Sequence, residues 1–267
     1  MNKNEKYWRD RLIKEMDEIY KLSTKDIQDK ISKLYITTQK ELLKELSALR
    51  AYNKANNITA ISREIMLEET LNNINKSIVL LANNMDNLLT TNLCNSYIQT
   101  YETVNDNLKA LGIDATAIVP ANVEDIIKQP WIGSSYSERI WFNRDKLIYE
   151  AKDTISRNLL RGSSYHNMSK ELAKKMSSSY SAARRLCETE CQASINKANI
   201  DNYKNNDIEK CEISSVLDQK LCNDCADRDG KVIEVSKAVL GVNTPPYHPS
   251  CRCCLVPCIY IDGELID

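Results

Sequence analysis

The chain has 267 residues, with 36 Lys and Arg against 37 Asp and Glu. The net charge of −1 advertises no global field for nucleic acid or a membrane surface. Six glycines, six prolines and one phenylalanine exclude an ordinary all-β protein and favour long helices.

Residues 5–52 carry an apolar stripe at helical spacing: Leu12, Met16, Ile19, Tyr20, then Ile27, Ile31, Tyr35, then Leu42, Leu46, Leu49. This predicts one or two long helices, with Ser23-Thr24 as the start of a second. The charges between them read as a solvated face. The opening cluster Lys6-Tyr7-Trp8-Arg9 reads as a helix end packing its rings. After a polar break at 51–59, residues 61–109 resume the spacing with Ile61, Ile65, Leu71, Ile74, Ile78, Leu81, Met85, Leu88 and Leu89. Two such segments predict a helical hairpin.

Residues 111–130, with Gly112, Pro120 and Pro130, read as a linker. Ser137 is placed to cap a helix carrying Ile140, Trp141, Leu147, Ile148, Ala151, Ile155 and Leu159. Arg161-Gly162 ends it. A helix over about 165–176, a break at Ser177-Ser178-Ser179 and a helix over about 180–204 follow. From Cys211 the period falls to two, which predicts strands over 211–217, 231–235 and 253–260. Asp229-Gly230 is a turn signal before the second strand. The fold class expected is α+β and mostly helical: an N-terminal helical region 1–110, a helical middle 111–205, and a small β-rich region 206–267.

That last region holds the most informative pattern. Cys222 and Cys225 form C-x2-C, and His248 and Cys251 form H-x2-C after 22 intervening residues. Two such pairs suit a closed tetrahedral site for structural zinc. Cys253 follows His248 closely enough to replace Cys251 as the fourth ligand. Met1 is followed by Asn-Lys-Asn-Glu-Lys, so no signal peptide is expected. In a reducing compartment clustered cysteines bind metal more often than they bridge. Cys94, Cys187, Cys191 and Cys211 read as small buried hydrophobes, and Cys254 and Cys258 look surplus to the site. A catalytic zinc site keeps an open position and a nearby base. The H-x-E of a deaminase is missing here, because Pro249 and Ser250 follow His248. No apolar run approaches the ~20 residues that span a bilayer, so no membrane partner is expected.

From Trp131 to Cys258 the chain resembles the phage minor head proteins of the Mu F-like head-morphogenesis family. The matching pieces run in family order. They are Pro130-Trp131-Ile132-Gly133 with Ser137-Glu138-Arg139-Ile140-Trp141, Arg161-Gly162, and Arg185-Leu186-Cys187-Glu188-Thr189-Glu190. Leu217-Asp218 with Cys222 and Cys225, Asp229-Gly230-Lys231, Gly241-Val242-Asn243, and Pro245 to Cys253 follow. The chain has Glu188 where the family usually has arginine. The resemblance implies a Mu F-like domain over 111–260 and a virion component inside the head, present in host cytoplasm during assembly. It implies partnership with the portal, and roles in head assembly and DNA packaging or ejection. Packaged DNA, scaffold and major capsid protein are further expected partners, and the N-terminal helices are candidates for self-association.

Two other readings compete. A zinc module that reads DNA needs a positive surface, yet Asp218, Asp224, Asp227 and Asp229 surround the site. Lys170, Lys174, Lys175, Arg184 and Arg185 form a better candidate for DNA, with a solvated helix face as the plainer reading. The pair Glu188 and Glu190 matches the Glu-x-Glu of ADP-ribosyltransferases. Residues two apart on a helix point about 200° apart, so they are not expected to share a site. No catalytic residue and no enzyme activity is expected.

Overall fold

The computed structural model describes residues 3–54, 59–216, 221–261 and 264–266. Its helices are α1 (Lys3–Lys54), α2 (Ala60–Ala110), α3 (Val123–Lys128), α4 (Tyr136–Leu160), α5 (Tyr165–Asn205) and the one-turn α6 (Asn223–Ala226). Its strands are β1 (Lys210–Ser214), β2 (Val232–Glu234), β3 (Cys254–Ile261) and β4 (Glu264–Ile266). The protein is mostly helical with a small C-terminal antiparallel sheet, as the composition and the change of period implied. The sheet order is β2-β1-β3-β4. β1 is central, with Cys211 opposite Ile233 on one side and Pro257 on the other.

Two compact units emerge from the contacts. The first comprises Met1–Ile27, Leu89–Tyr136 and Arg185–Asp267; the second comprises Gln28–Leu88 and Ser137–Arg184. In the first, Leu12, Met16 and Ile19 of α1 and Leu89, Leu93, Tyr97, Tyr101 and Leu108 of α2 are buried. So are Ile195 and Ala198 of α5, with Ile213, Leu255 and Val256 of the sheet. Each fully buried Leu or Ile stabilises the unit by about 1.5–3 kcal/mol. Ser23 meets Asn92 and Ser96 here. In the second unit Ile31, Tyr35, Leu42, Leu46 and Leu49 of α1 join Ile74, Ile78, Leu81 and Met85 of α2 in the core. Ile140, Leu147, Ala151 and Ile155 of α4 and Met168, Leu172 and Met176 of α5 complete it. Glu45 accepts from Asn73. In the first unit Glu15 meets Asn107 while Ser23 meets Asn92 and Ser96, so α1 and α2 run antiparallel there, as a hairpin requires.

The structure departs from the sequence reading at several places. α1 does not break at Ser23-Thr24: the Thr24 hydroxyl donates to the Tyr20 carbonyl (2.7 Å), so the side chain is satisfied inside the helix. α5 runs through Ser177-Ser178-Ser179, where Ser181 bonds back to the Ser177 carbonyl. Ser137 is not a cap; it lies in the first turn of α4 and donates to Asp86 of α2 (3.0 Å). Ile61 and Ile65, placed on the apolar stripe of α2, are 70 % and 60 % exposed. The β-strands are shorter than expected at β1 and β2, and β4 is an additional strand.

Candidate metal centre

Four elements of the first unit bring the cysteines and His248 together. Cys222 is the N-cap of α6, and its Sγ accepts from the Cys225 backbone N–H at 3.4 Å. A helical turn between them aims both sulfurs to one side, where a strand would alternate them. The end of β1 fixes that turn. The Ser215 hydroxyl donates to the Cys225 carbonyl (2.9 Å), and the Ser215 N–H donates to Asp229 (2.7 Å). Arg228 reaches Asp224 (3.3 Å) and covers the ring of Tyr247 at 4.1 Å, tying the turn to the His248 loop.

That loop is anchored in turn by α5. The Ser250 hydroxyl donates to Glu188 (2.6 Å) and its N–H to Thr189 Oγ1 (2.9 Å), while Ser250 holds a left-handed φ of 58°. Gln192 and Asn196 both donate to the Cys253 carbonyl, at 3.0 and 2.9 Å. The side chains of α5 therefore set where His248, Cys251 and Cys253 sit.

The donors fall into two overlapping groups: Cys222, Cys225 and His248, and Cys225, Cys251 and Cys253. Cys225 belongs to both. His248 Nε2 lies 3.3 Å from Cys222 Sγ and 3.1 Å from Cys225 Sγ, and the Cys225 and Cys251 sulfurs are 3.8 Å apart. A zinc tetrahedron has S···S edges of about 3.8 Å and S···N edges of about 3.5 Å, so these three contacts are near that size, but the structure brings the donors together as two triads joined at Cys225 and not as one closed set of four. His248 Nδ1 faces the Pro249 carbonyl at 2.9 Å. A carbonyl only accepts, so Nδ1 carries the proton and Nε2 offers its lone pair to the sulfurs' side, the tautomer of a ligating histidine. The residues can hold a metal ion. Cys251 and Cys253 both stand within reach of Cys225, and Cys253 also contacts Ser215 Oγ at 3.3 Å.

The four thiols differ in how readily they ionise. The Cys225 N–H lowers the Cys222 thiol below its ordinary value. A hydrogen bond from the Cys253 thiol lowers Cys251, and the same bond raises Cys253. Burial pushes Cys225 up to about 12. A buried thiolate needs a cation beside it, and a bound divalent ion supplies one.

The remaining cysteines sort as expected of small hydrophobes. Cys187, Cys191, Cys211, Cys254 and Cys258 are buried in helix or strand, and Cys94 is half-buried. Cys254 and Cys258 lie on β3, and burial raises Cys254 to about 12. Leu217-Asp218 lies outside the described residues.

Glu188 and Glu190 do not converge. Glu188 serves the metal loop, whereas Glu190, 3 % exposed, accepts from Trp131 Nε1 at 2.9 Å. Trp131, Glu190, Leu93, Ile127 and Leu240 line a mostly apolar cavity of 370 Å3. The anchoring roles of Ser215, Glu188, Thr189, Gln192 and Asn196 were not anticipated from the sequence. On α5 the signal was polar residues at i, i+1, i+4 and i+8 of a helix otherwise read for its apolar positions. Glu188→Ala is expected to weaken metal retention about 10–100-fold, measured by chelator competition. Glu190→Gln, at a side chain that receives the Trp131 indole, should leave retention unchanged.

Residues 150–256 match the family model described as Phage Mu protein F like protein. The match runs from within α4 to within β3 and includes every candidate ligand. This stretch is therefore similar to the Mu F-like proteins of phages. No curated protein and no solved structure matches the chain.

Proposed function

We propose that the protein is a minor component of the phage head that joins the portal and acts in head morphogenesis and in DNA packaging or ejection. The observation that carries this is the Mu F-like match across the whole Cys–His cluster and the helix that anchors it. In this reading the ion is zinc and structural. Cys222, Cys225, His248 and Cys251, with Cys253 as the alternate, hold it. It fastens α6 and the His248 loop to β1 and α5, and no open ligand position or general base is required. The protein resides in the virion and passes through host cytoplasm during assembly. Among the described residues no helix is long and apolar enough to cross a membrane. A DNA-reading role for the zinc loop itself is disfavoured, since Asp224, Asp227 and Asp229 crowd it and repel phosphate.

Co-expression with the portal and scaffold proteins tests the reading. The chain is expected to co-purify with portal oligomers and to appear in mature heads. A chain that stays monomeric beside intact portals and is missing from heads overturns it. Elemental analysis of the reduced protein should give about one zinc per chain, as a closed four-ligand site implies. A folded, metal-free sample refutes the structural zinc.

A further inference from the structure

The near-zero net charge conceals a division. The second compact unit holds 18 Lys and Arg against 12 Asp and Glu, a net +6, while the first holds 18 against 25, a net −7. Both counts cover every residue of the chain. A positive body of this size attracts polyanions, whatever the charge of the whole.

Within that unit α4 presents an unusual outer face. Phe142, the protein's single phenylalanine, is 71 % exposed, and Tyr149 is 72 % exposed. On a 3.6-residue helix they lie within about 20° of each other. The buried residues Ile140, Leu147, Ala151 and Ile155 fall on the opposite side. These rings therefore serve no core of this unit. Lys146 and Lys152 flank them, both exposed. Three of the four acids of the same helix are already paired: Asp145 with Arg144, Glu150 with Lys175 and Asp153 with Arg157, and the fourth, Glu138, lies in its first turn. Lys146 and Lys152 have no ion-pair partner among the described residues, and neither do Lys170 and Lys174 on α5. The stripe thus combines two flat rings with two uncompensated cations, at a spacing of one to two helical turns.

From this we infer that the outer face of α4 binds nucleic acid, with Lys146 and Lys152 on phosphates and Phe142 and Tyr149 against bases or sugars. Phosphate contacts by unpaired lysines supply affinity through counterion release. Exposed rings beside them supply stacking that tolerates any sequence. The surface predicts binding without sequence preference, stronger to single strands than to duplex. It deepens the head-protein reading by naming where nucleic acid would be met, but rests physically on charge and exposure alone.

The test uses the full chain and labelled oligonucleotides, single-stranded and duplex, followed by anisotropy at several salt concentrations. Lys146→Glu with Lys152→Glu should weaken single-strand binding at least tenfold and lower the salt slope by about 1.4, at about 0.7 per lost contact. Lys25→Glu with Lys109→Glu makes the same change in net charge within the first unit, at exposed positions, and should weaken binding less than threefold. Phe142→Ala with Tyr149→Ala should cost single-strand affinity about tenfold or more at unchanged salt slope. Circular dichroism checks that each variant folds. No binding by the wild-type chain, or equal losses from the two charge-reversal pairs, overturns the proposal. So does a salt-sensitive self-association that Lys146→Glu and Lys152→Glu abolish while leaving oligonucleotide binding intact. Portal co-purification reads the head assignment separately, so either result can fail without the other.

Discussion

Replacing Cys225 by serine is expected to strip the metal and open the segment from 221 to 253 to protease, while β1 and β3 stay protected. Cys225 is the one sulfur shared by both donor groups, so its loss spares neither. Structural zinc is worth about 10–16 kcal/mol in small peptides that depend on it, whereas each hydrogen bond that also holds α6 and the His248 loop contributes only about 0.5–1.5 kcal/mol. β1 and β3 have other support. They pair over five residues, from Lys210 opposite Cys258 to Ser214 opposite Cys254. α5 also grips β3 at the Leu255 carbonyl through Tyr203 (2.9 Å). Trypsin should therefore cut after Arg228, Lys231 and Lys237 but not after Lys210. Metal content should fall from about one ion per chain to less than about a tenth. An unchanged digest, or full metal content, would refute the clasp.

The second large effect is expected at Tyr203. Its side chain is 1 % exposed, and its hydroxyl donates to β3. Tyr203→Ala should destabilise the protein by about 3–5 kcal/mol, as large-to-small changes in a packed core do. Tyr203→Phe keeps the ring and leaves the Leu255 carbonyl with only the 3.4 Å contact from Asn199, so it should cost about 1 kcal/mol. Urea denaturation followed by circular dichroism measures both. Equal losses would show that the hydroxyl, not the ring, carries the stability.

Apolar spacing made the long helices legible, because burial of Leu, Ile and Tyr at i, i+3 and i+4 leaves a periodic trace. The expected breaks failed for a physical reason. Serine and threonine disfavour a helix by only a few tenths of a kcal/mol each. Thr24 closes its own hydrogen bond, and Tyr35 holds Ser179 at 3.0 Å while its ring meets that of Tyr180. Packing outweighs so small a preference. The cluster of candidate ligands was legible because thiols and imidazole at these spacings have few other uses, and the fold gathers them as two overlapping triads. What positions them was not, since Gln192 and Asn196 act on a backbone carbonyl and Glu188 on a serine hydroxyl, each some 60 residues away. A carbonyl has no sequence signature. The Glu-x-Glu motif shows the same limit: two identical side chains, two residues apart, answer to Ser250 and to Trp131. Charge was legible in sum but not in its division, because the units interleave along the chain.

The amides of α5 have one more consequence. Gln192 and Asn196 need the carbonyl of Cys253, Asn199 and Tyr203 need that of Leu255, and Asn202 needs that of Tyr101. An oily helix face would let a neighbouring strand slide and still find grease. Here a slip of even one residue would strand several donors away from water, at about 1–3 kcal/mol apiece. The seam between helix and sheet therefore tolerates a single alignment, and the ligand loop inherits its position from that choice before any ion arrives.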